Sequence, residues 1–581
     1  MAETSIVLIP KLWKLTPASA DAVRLAHETG MTRLQTQLLI NRGITEKQAA
    51  ESFLSPRLSE MADPMCMKGM DIGIQTILTA IENQDKITIY GDYDADGLTA
   101  TALLLRFLSD LDIPASAYIP NRLNEGYGLN QEAVQKISSN GTRLMITVDC
   151  GISGSREIAL AREQGIRTVV TDHHQVSGTS LPDCPVINPH QPECPFPFKH
   201  LAGVGLAFFL AVAVRAALRK KGHFSSRPEP DLREYLDLVA LGTVADRVPL
   251  IGQNRMLVKS GLKRMADSRW PGVRAMLDVA TVKLSAITSD DLAFRLAPRL
   301  NAPGRMGDSD TGLDLLTVAD DETARDLARR VNMANSRRQG LEHNILDRIE
   351  GMIRDGDLVR ERRTLLLWGE NWHPGVLGIV ASRLVDRYHR PALVMTIQDG
   401  VAAGSGRSID GFNLYQALHR LGPLFDRYGG HEHAAGFRLR DGNLEVLGRE
   451  LEALAEKHLS DQDMVPVIRV DAEVGLREVG RQTVDDINAL SPFGAWNPEP
   501  VFLARTLHVV GSRVVGDRHL KLRVRQGDVT LDAIGFGMGR RHSLQGETVD
   551  LLFTPEINRW QGTEAIQLKI VDLRRRSKAN P

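Results

Sequence analysis

From Lys86 to about Leu250 the chain alternates two kinds of apolar pattern. Short, nearly continuous apolar runs stand at Ile87–Tyr90, Ala115–Ile119, Leu144–Val148 and Thr168–Val170. Between them, Leu98–Leu108, Gln131–Ile137 and Ser155–Glu163 carry apolar residues at helical spacing. Strands that are apolar throughout, alternating with helices, predict a parallel sheet covered by helices on both faces. Such a sheet holds its ligands at the carboxyl ends of its strands. Leu201–Val214 is the longest apolar run, and Arg215 follows it. It is too short to span a bilayer and reads as a buried helix.

The flanks follow other patterns. Residues 17 to 60 are helical in spacing, with Leu34, Leu38 and Leu39 in register and Pro56 as a breaker. Residues 320 to 357 read as one long basic helix with an apolar stripe of Leu327, Val331, Leu341, Ile345, Ile349 and Ile353. Gly340 costs that helix about 1 kcal/mol relative to alanine and marks a place for a bend. A second α/β region begins with a strand at Leu365–Leu367 and a helix opened by Trp372-His-Pro-Gly. It contains two glycine-rich stretches, Ala402–Ser408 and Tyr428–Gly436, which read as turns or phosphate-cradling loops. From about 465 the period becomes two. His519–Arg525 alternates strictly, with Leu520, Leu522 and Val524 on one face and His519, Lys521, Arg523 and Arg525 on the other. Val529–Ile534, Val549–Phe553 and Ala565–Leu573 add strands, and Trp560-Gln-Gly562 marks a hairpin. Several short strands in so few residues predict a small barrel of the OB type. The fold class is therefore α/β with a C-terminal β-barrel. The divisions are a helical extension (1–60), a parallel-sheet domain (61–320), a connector helix (321–357), a second α/β domain (358–462), a barrel (463–575) and a basic tail (576–581).

Composition narrows the class. With 43% hydrophobic and 25% charged residues the chain is that of a soluble globular protein. A formal net charge of −1 gives no global basic field, so nucleic-acid binding would need a local patch. The first twelve residues lack the long apolar run of a secretory signal. Four cysteines argue against a disulfide framework and for a reducing compartment. Cys184, His190, Cys194 and His200 are too widely spaced for a zinc knuckle and lie in a proline-rich loop.

Chemistry concentrates where strands end. Ile87–Tyr90 runs into Asp92, Asp94 and Asp96, at every second position, then Gly97 and an apolar helix. Carboxylates so close raise one another's pKa unless a cation sits among them. An EF-hand does not fit, because a strand precedes the loop and its twelfth position is Leu103. Leu144–Val148 ends in Asp149, Thr168–Val170 is followed by Asp172, His173 and His174, and the apolar segment from Leu238 ends in Asp246. Four segments converging on one sheet edge with Asp and His donors point to Mn²⁺ or Mg²⁺ in a two-ion site.

These motifs resemble the DHH phosphoesterase superfamily, whose signature stands here as Asp172-His173-His174. Tyr90-Gly-Asp-Tyr-Asp-Ala-Asp-Gly97, Pro120–Leu129, Val148-Asp-Cys-Gly-Ile152 and Gly242-Thr-Val-Ala-Asp246 resemble, within it, the RecJ family of single-strand-specific DNA exonucleases. The second α/β region resembles the DHHA1 domain. The resemblance implies 5′→3′ release of 5′-mononucleotides by two-metal hydrolysis. It places Asp94, Asp96, Asp149, His173 and Asp246 on the ions, with Asp92 as ligand or as a support behind one. His174 is left to act on the phosphoryl or leaving oxygen, and Asp172 to support the histidines. Arg122, Arg305, Ser405 and Arg407 are implied phosphate binders, one of them for the 5′ end, while His431 and His433 either touch substrate or cap turns. Single-strand binding protein, a RecQ-type helicase, a cytoplasmic location and a monomeric state belong to the same expectation. The rivals are a hydrolase of short or cyclic nucleotides from the same superfamily, and a scaffold that has lost catalysis.

Overall fold

The computed structural model describes residues 10–176, 181–516, 518–541, 543–560 and 562–576. A short strand, β1 (Leu12–Leu15), precedes α1 (Ala20–Thr29), α2 (Arg33–Ile40) and α3 (Lys47–Leu54). The Ser19 and Thr32 hydroxyls cap the first two helices. The parallel sheet follows as α4 (Met70–Glu82), β2 (Ile87–Gly91), α5 (Ala95–Asp110), β3 (Ala115–Tyr118), α6 (Gln131–Ser139), β4 (Leu144–Val148), α7 (Ser155–Glu163), β5 (Arg167–Thr171) and β6 (Val186–Ile187). Its order is β3-β2-β4-β5-β6, with every pairing parallel. Every residue of β2 and β4 is buried, which is why both read as unbroken apolar runs. The chain leaves β2 for β3 on one side and returns to β4 on the other. The carboxyl ends of β2 and β4 therefore flank the switch point at which such sheets bind ligands.

Helices α8 (Gly203–Lys220), α9 (Leu236–Ala245) and α10 (Gly252–Met265) follow, and α8 and α9 share the largest core with α5. Here one expectation is corrected. Asp246 is not at a strand end; it is the C-cap of α9. That helix is buried from Leu236 to Val244 on all sides, and periodicity cannot tell such a helix from a buried strand. The helix Asp321–Asp355 runs through Gly340 without a break, about 52 Å long at 1.5 Å per residue. Gly340 faces open space, so nothing bends the helix there.

The second α/β region is a five-stranded sheet in the order β10-β11-β9-β8-β7. Its strands are β7 (Leu365–Glu370), β8 (Ala392–Gln398), β9 (Val401–Arg407), β10 (Phe425–His431) and β11 (Ala434–Arg440). Both glycine-rich stretches are thus mostly strand rather than turn. Their glycines make room: a Cβ at Gly404 would lie 2.6 Å from the Met395 Cβ, and one at Gly406 2.8 Å from Leu414 Cδ2. The helix Pro374–Tyr388 lies so close to this sheet that a Cβ on its Gly378 would come within 3.0 Å of both Ser405 Oγ and Arg407 Nη2.

After β12 (Val467–Val470) and β13 (Ala472–Glu473) come β14 (Phe502–Val515), β15 (His519–Gln526), β16 (Val529–Gly535), β17 (Thr548–Trp560) and β18 (Thr563–Arg575). Five of these close into a barrel, β14-β15-β16-β18-β17, by pairing β14 with β17. Along β15, Leu520, Leu522 and Val524 are buried, while Arg523 and Arg525 are exposed. Asp532 meets Lys521 at 3.2 Å and Arg523 at 3.7 Å, neutralising part of that basic face. The hairpin turns between Trp560 and Thr563, with Gln561 outside the described residues.

The N-terminal helices are not a free extension. Leu25, Leu38, Leu39 and Ala50 share a core with Phe502, Leu522 and Phe553 of the barrel, and β1 pairs in parallel with β12. Arg574, at the end of the last strand, and Arg576, in the expected basic tail, are both held. Arg574 lies 4.0 Å over the Trp13 ring, and Arg576 Nε donates to Asp550 at 2.9 Å; 577–581 lie outside the described residues. Arg255 fastens the barrel to the sheet domain. Its guanidinium, 1% exposed, lies over the Phe53 ring and donates to the carbonyl oxygens of Phe53, Leu490 and Ser491. Among the described residues no helix is long and apolar enough to cross a membrane.

Candidate active site

The switch point is crowded with carboxylates. Asp94 ends the loop after β2 as the N-cap of α5, its Oδ1 accepting the N–H groups of Asp96 and Gly97. Asn301 accepts the N–H of Ala95 at 2.7 Å, which pins the same turn from outside. Asp96 sits in the first turn of α5. Its two oxygens accept the N–H groups of Gly203 (2.6 Å) and Val204 (2.9 Å), so it caps α8 as well. Asp149 follows β4 with φ +62°, a left-handed turn that aims its carboxylate back over the sheet edge. Gly203 faces it, where a Cβ would stand 2.6 Å from the Asp149 Cβ.

His173 joins these groups. Its Nε2 lies 3.0 Å from Asp149 Oδ1, 3.7 Å from Asp246 Oδ2 and 4.0 Å from Asp96 Oδ2. Yet neither His173 Nε2 nor Asp149 Oδ1 has a hydrogen-bond partner, and Asp92 Oδ1 has none either. Buried polar atoms are normally paired. Here they face a common space without bonding one another, as ligands of a cation do. The donor atoms fall into overlapping groups, each within 4.8 Å: Asp96, His173 and Asp246; Asp92, Asp94 and Asp149; and Asp149 with both histidines. Two triads with Asp149 between them fit two hard divalent ions. All six carboxylate and imidazole positions singled out as ligands in the sequence are brought together.

Charge crowding has the expected sign. Burial, and then the charges of Asp96, Asp94 and Asp246, push Asp149 well above the carboxylate range. Burial, with Asp96, Asp94 and Asp92, raises Asp246, and burial with Asp94 raises Asp92. Burial and Asp94 lift Asp96 to about 7, against the pull of its two backbone N–H groups. Burial and the neighbouring His174 lower His173 to about 4, leaving a neutral imidazole free to ligate. A carboxyl raised in the folded state adds stability at low pH that is lost as pH rises through the folded value. For Asp96 that window runs from about 4, its unfolded value, to about 7. Metal-free protein is therefore expected to melt at falling temperature between about pH 4 and about pH 7. Saturating Mn²⁺ should reverse the trend, because binding draws on the ionised carboxylates. Thermal melts with and without chelator measure this, and a flat metal-free profile would remove the crowding argument.

His174 is placed differently. Its Nδ1 meets Asp172 Oδ1 at 2.7 Å, and Asp172 also accepts the N–H groups of His174 and Ile152. Burial opposes the imidazolium, but the Asp172 bond and charge, with Asp92 and Asp94 beyond, outweigh it and raise the His174 pKa. The Tyr127 hydroxyl lies 3.1 Å from the same ring. Tyr127 belongs to the loop 121–129, which Glu125 ties to Tyr118 and Asn121 and Tyr90 ties at Gly128.

A cluster of arginines faces the carboxylates. Arg122 lies over the Tyr93 ring at 4.8 Å, within reach of Asp92. Arg305 donates to the carbonyl oxygen of Gly375 at the start of the helix Pro374–Tyr388, so it joins the two lobes. Arg407, at the end of β9, donates to Ser405 Oγ and to the Gly406 carbonyl oxygen. Burial, and then the guanidiniums of Arg122, Arg338 and Arg407, depress the Arg305 pKa; burial, Arg122 and Arg247 depress that of Arg407. No carboxylate forms an ion pair with Arg122, Arg247, Arg305 or Arg407 among the described residues. Mutually repelling, unpaired guanidiniums make an anion site. His431 and His433 are exposed near the tip of the β10–β11 hairpin, and the register sets Ala434 opposite Arg407. They adjoin the arginines and belong to none of the metal-donor groups. Sequence reasoning missed Tyr127, Arg247 and Arg338. The first two lie in or beside motifs already singled out, whereas Arg338 is one basic residue among many on a long helix.

Comparison with known proteins was made on this architecture. Residues 86–243 match the N-terminal domain of the DHH family, 362–457 the DHHA1 domain, and 470–572 the RecJ OB domain. A Dickeya dadantii protein named single-stranded-DNA-specific exonuclease RecJ is 37% identical, over 93% of this chain and 96% of its own length. The Bacillus subtilis protein of that name is 36% identical, over 96% of this chain and 70% of its own length. The crystal structure of RecJ in complex with Mn²⁺ from Thermus thermophilus superposes with a TM-score of 0.82 at 30% identity, covering 97% of this chain and 80% of that one. Matching domains in the same order, at such identity over nearly the full chain, place it: the protein belongs to the RecJ family of DHH phosphoesterases.

Proposed function

We infer that this chain is a single-strand-specific DNA exonuclease that works from the 5′ end and releases 5′-mononucleotides. The observation that carries the reading is an arginine cluster, with no carboxylate ion pair among the described residues, beside a buried Asp/His cluster with unpartnered donor atoms. Asp92, Asp94, Asp96, Asp149, His173 and Asp246 are the residues that would hold two Mn²⁺ or Mg²⁺ ions. When bound, such ions supply positive charge to phosphoryl oxygens and acidify water. The protein's own groups do the rest. Asp96 and Asp94, fixed on helix N-termini, keep the donor set rigid before substrate arrives. His174, whose imidazolium form Asp172 favours, donates to a phosphoryl oxygen or to the departing 3′ oxygen. Arg122, Arg305, Ser405 and Arg407 take the backbone phosphates, and the 5′-terminal phosphate sets the polarity because only a free end reaches it. The same reading includes a cytoplasmic monomer acting in recombination and repair, on strands supplied by a RecQ-type helicase and covered by single-strand binding protein.

The test uses long oligonucleotides labelled at either end, single-stranded and duplex, with Mn²⁺ or Mg²⁺. Label at the 5′ end should appear at once as mononucleotide, label at the 3′ end should persist, and duplex should resist. Hydrolysis restricted to dinucleotides would instead favour a short-oligonucleotide hydrolase.

A further inference from the structure

Beyond the arginines, a loop beside the metal-donor cluster carries an aromatic residue in an unusual state. Trp496 has φ +59°, a left-handed conformation that a bulky side chain adopts only at a cost. Its indole is nonetheless 63% exposed, so burial does not repay that cost. The loop that carries it is rigid. Asn497, fully buried, donates to the carbonyl oxygens of Leu490 and Pro492 and accepts from Arg42.

Two contacts seat Trp496 beside the metal-donor cluster. Leu250 donates its N–H to the carbonyl oxygen of Ala495 at 2.9 Å, four residues after Asp246. The His200 ring meets the indole edge-on at 4.8 Å, and the next residue, Leu201, is hydrogen-bonded through its backbone to His173. Beyond His200 stands His190, 6.4 Å away in another edge contact, which reaches Gln175 next to His174. Asp92 and Asp94 look toward Arg122 and Arg305, whereas Asp246 and His173 lead to the segments under Trp496. On the polarity proposed above, a strand whose 5′ phosphate lies among Arg122, Arg305 and Arg407 would run past the metal-donor cluster toward Trp496.

We propose that Trp496, braced by His200, is a stacking platform for a base on the 3′ side of the scissile phosphate of single-stranded DNA. The inference rests on the exonuclease reading and names a subsite within it. An indole face takes any of the four bases, and a base within a duplex cannot turn onto it. The platform thus adds affinity without sequence preference and favours unpaired strands. The left-handed backbone is what points the ring outward from a fixed loop.

The experiment couples the residue to one base. Oligonucleotides with a 5′ phosphate carry a single abasic site, moved stepwise from the 5′ end. KM and binding by fluorescence anisotropy are measured for the full-length wild-type protein and for Trp496→Ala, Trp496→Phe and Trp496→Gly. Alanine should raise KM for intact single strands about 10- to 100-fold. In wild type the abasic penalty should peak at one position, and in the alanine variant that peak should vanish. Phenylalanine should restore part of it. Glycine, free of the φ cost, should melt no lower than alanine yet bind as weakly, which separates stacking from a structural role. An unchanged KM in Trp496→Ala, or an abasic profile flat in wild type or identical in both proteins, overturns the proposal. Wild-type protein that binds with the peaked profile but does not hydrolyse would overturn the exonuclease reading and leave the platform standing.

Discussion

Asp149→Ala is expected to reduce hydrolysis of single-stranded DNA about 10³-fold or more in kcat, with Mn²⁺ saturating. Asp149 is the only carboxylate that stands in two of the three donor groups, one with Asp92 and Asp94 and one with the histidines. Its oxygen is unpartnered 3.0 Å from the unpartnered Nε2 of His173. Removing it would take a donor from two of the three groups that would hold the ions, and its side chain packs directly against Gly203. Metal-free stability should move the other way. Asp149 is the group most crowded by other carboxylates, so the metal-free variant should melt at or above the wild-type temperature near neutral pH. Lost activity with retained or raised stability identifies a ligand rather than a scaffold residue. A variant that still hydrolyses DNA at a comparable rate would break the metal assignment.

The second large effect concerns polarity. Arg407→Ala should erase the preference for a 5′ phosphate. KM for 5′-phosphorylated strands should rise about 10- to 100-fold, the size of a charge-assisted hydrogen bond, while strands with a 5′ hydroxyl change little. Arg407 is suited to this because its partners in the fold are weak ones, a serine hydroxyl and a carbonyl oxygen, and no carboxylate competes for it. Competition between the two kinds of strand measures the ratio directly. If Arg407→Ala kept the wild-type preference, the terminal phosphate would have to sit elsewhere, with Arg122 or Arg305 as the next residues to replace.

Much of this site was legible in the chain because it lies on strand ends. Leu144–Val148 is apolar at every position since both its faces are covered, and its end is marked by Asp149. The Asp92–Asp96 loop and Asp172–His174 announce themselves by charge packed after apolar runs. Asp246 was found for the right reason, a carboxylate ending an apolar segment, but on the wrong element, since a helix buried all round has no polar face to reveal its period. The glycines of β9 hid a strand, because a chain of small residues has weak β character until Met395, Leu414 and the neighbouring helix show what they make room for. β1 was invisible. Leu12-Trp-Lys-Leu15 is short, and its partner β12 lies some 450 residues away. Trp496 carries no pattern at all, as its meaning depends on a dihedral angle and on a histidine from another domain.

That pairing of β1 with β12 has a consequence for how the protein is made. The first strand finds its partner, and the three helices after it complete their core, in segments made some 450 residues later. At about 5–20 residues per second, roughly 20 to 90 s separate the synthesis of the two partners. During that interval Leu25, Leu38 and Leu39 have only their own three short helices to pack against. The barrel's last strand then lays Arg574 on Trp13 and against the Lys11 carbonyl oxygen, so that these two segments stand side by side. A permutant that links the segment after Arg576 to the one before Lys11, and opens the chain at an exposed loop, would deliver the helices and their barrel to the folding machinery together.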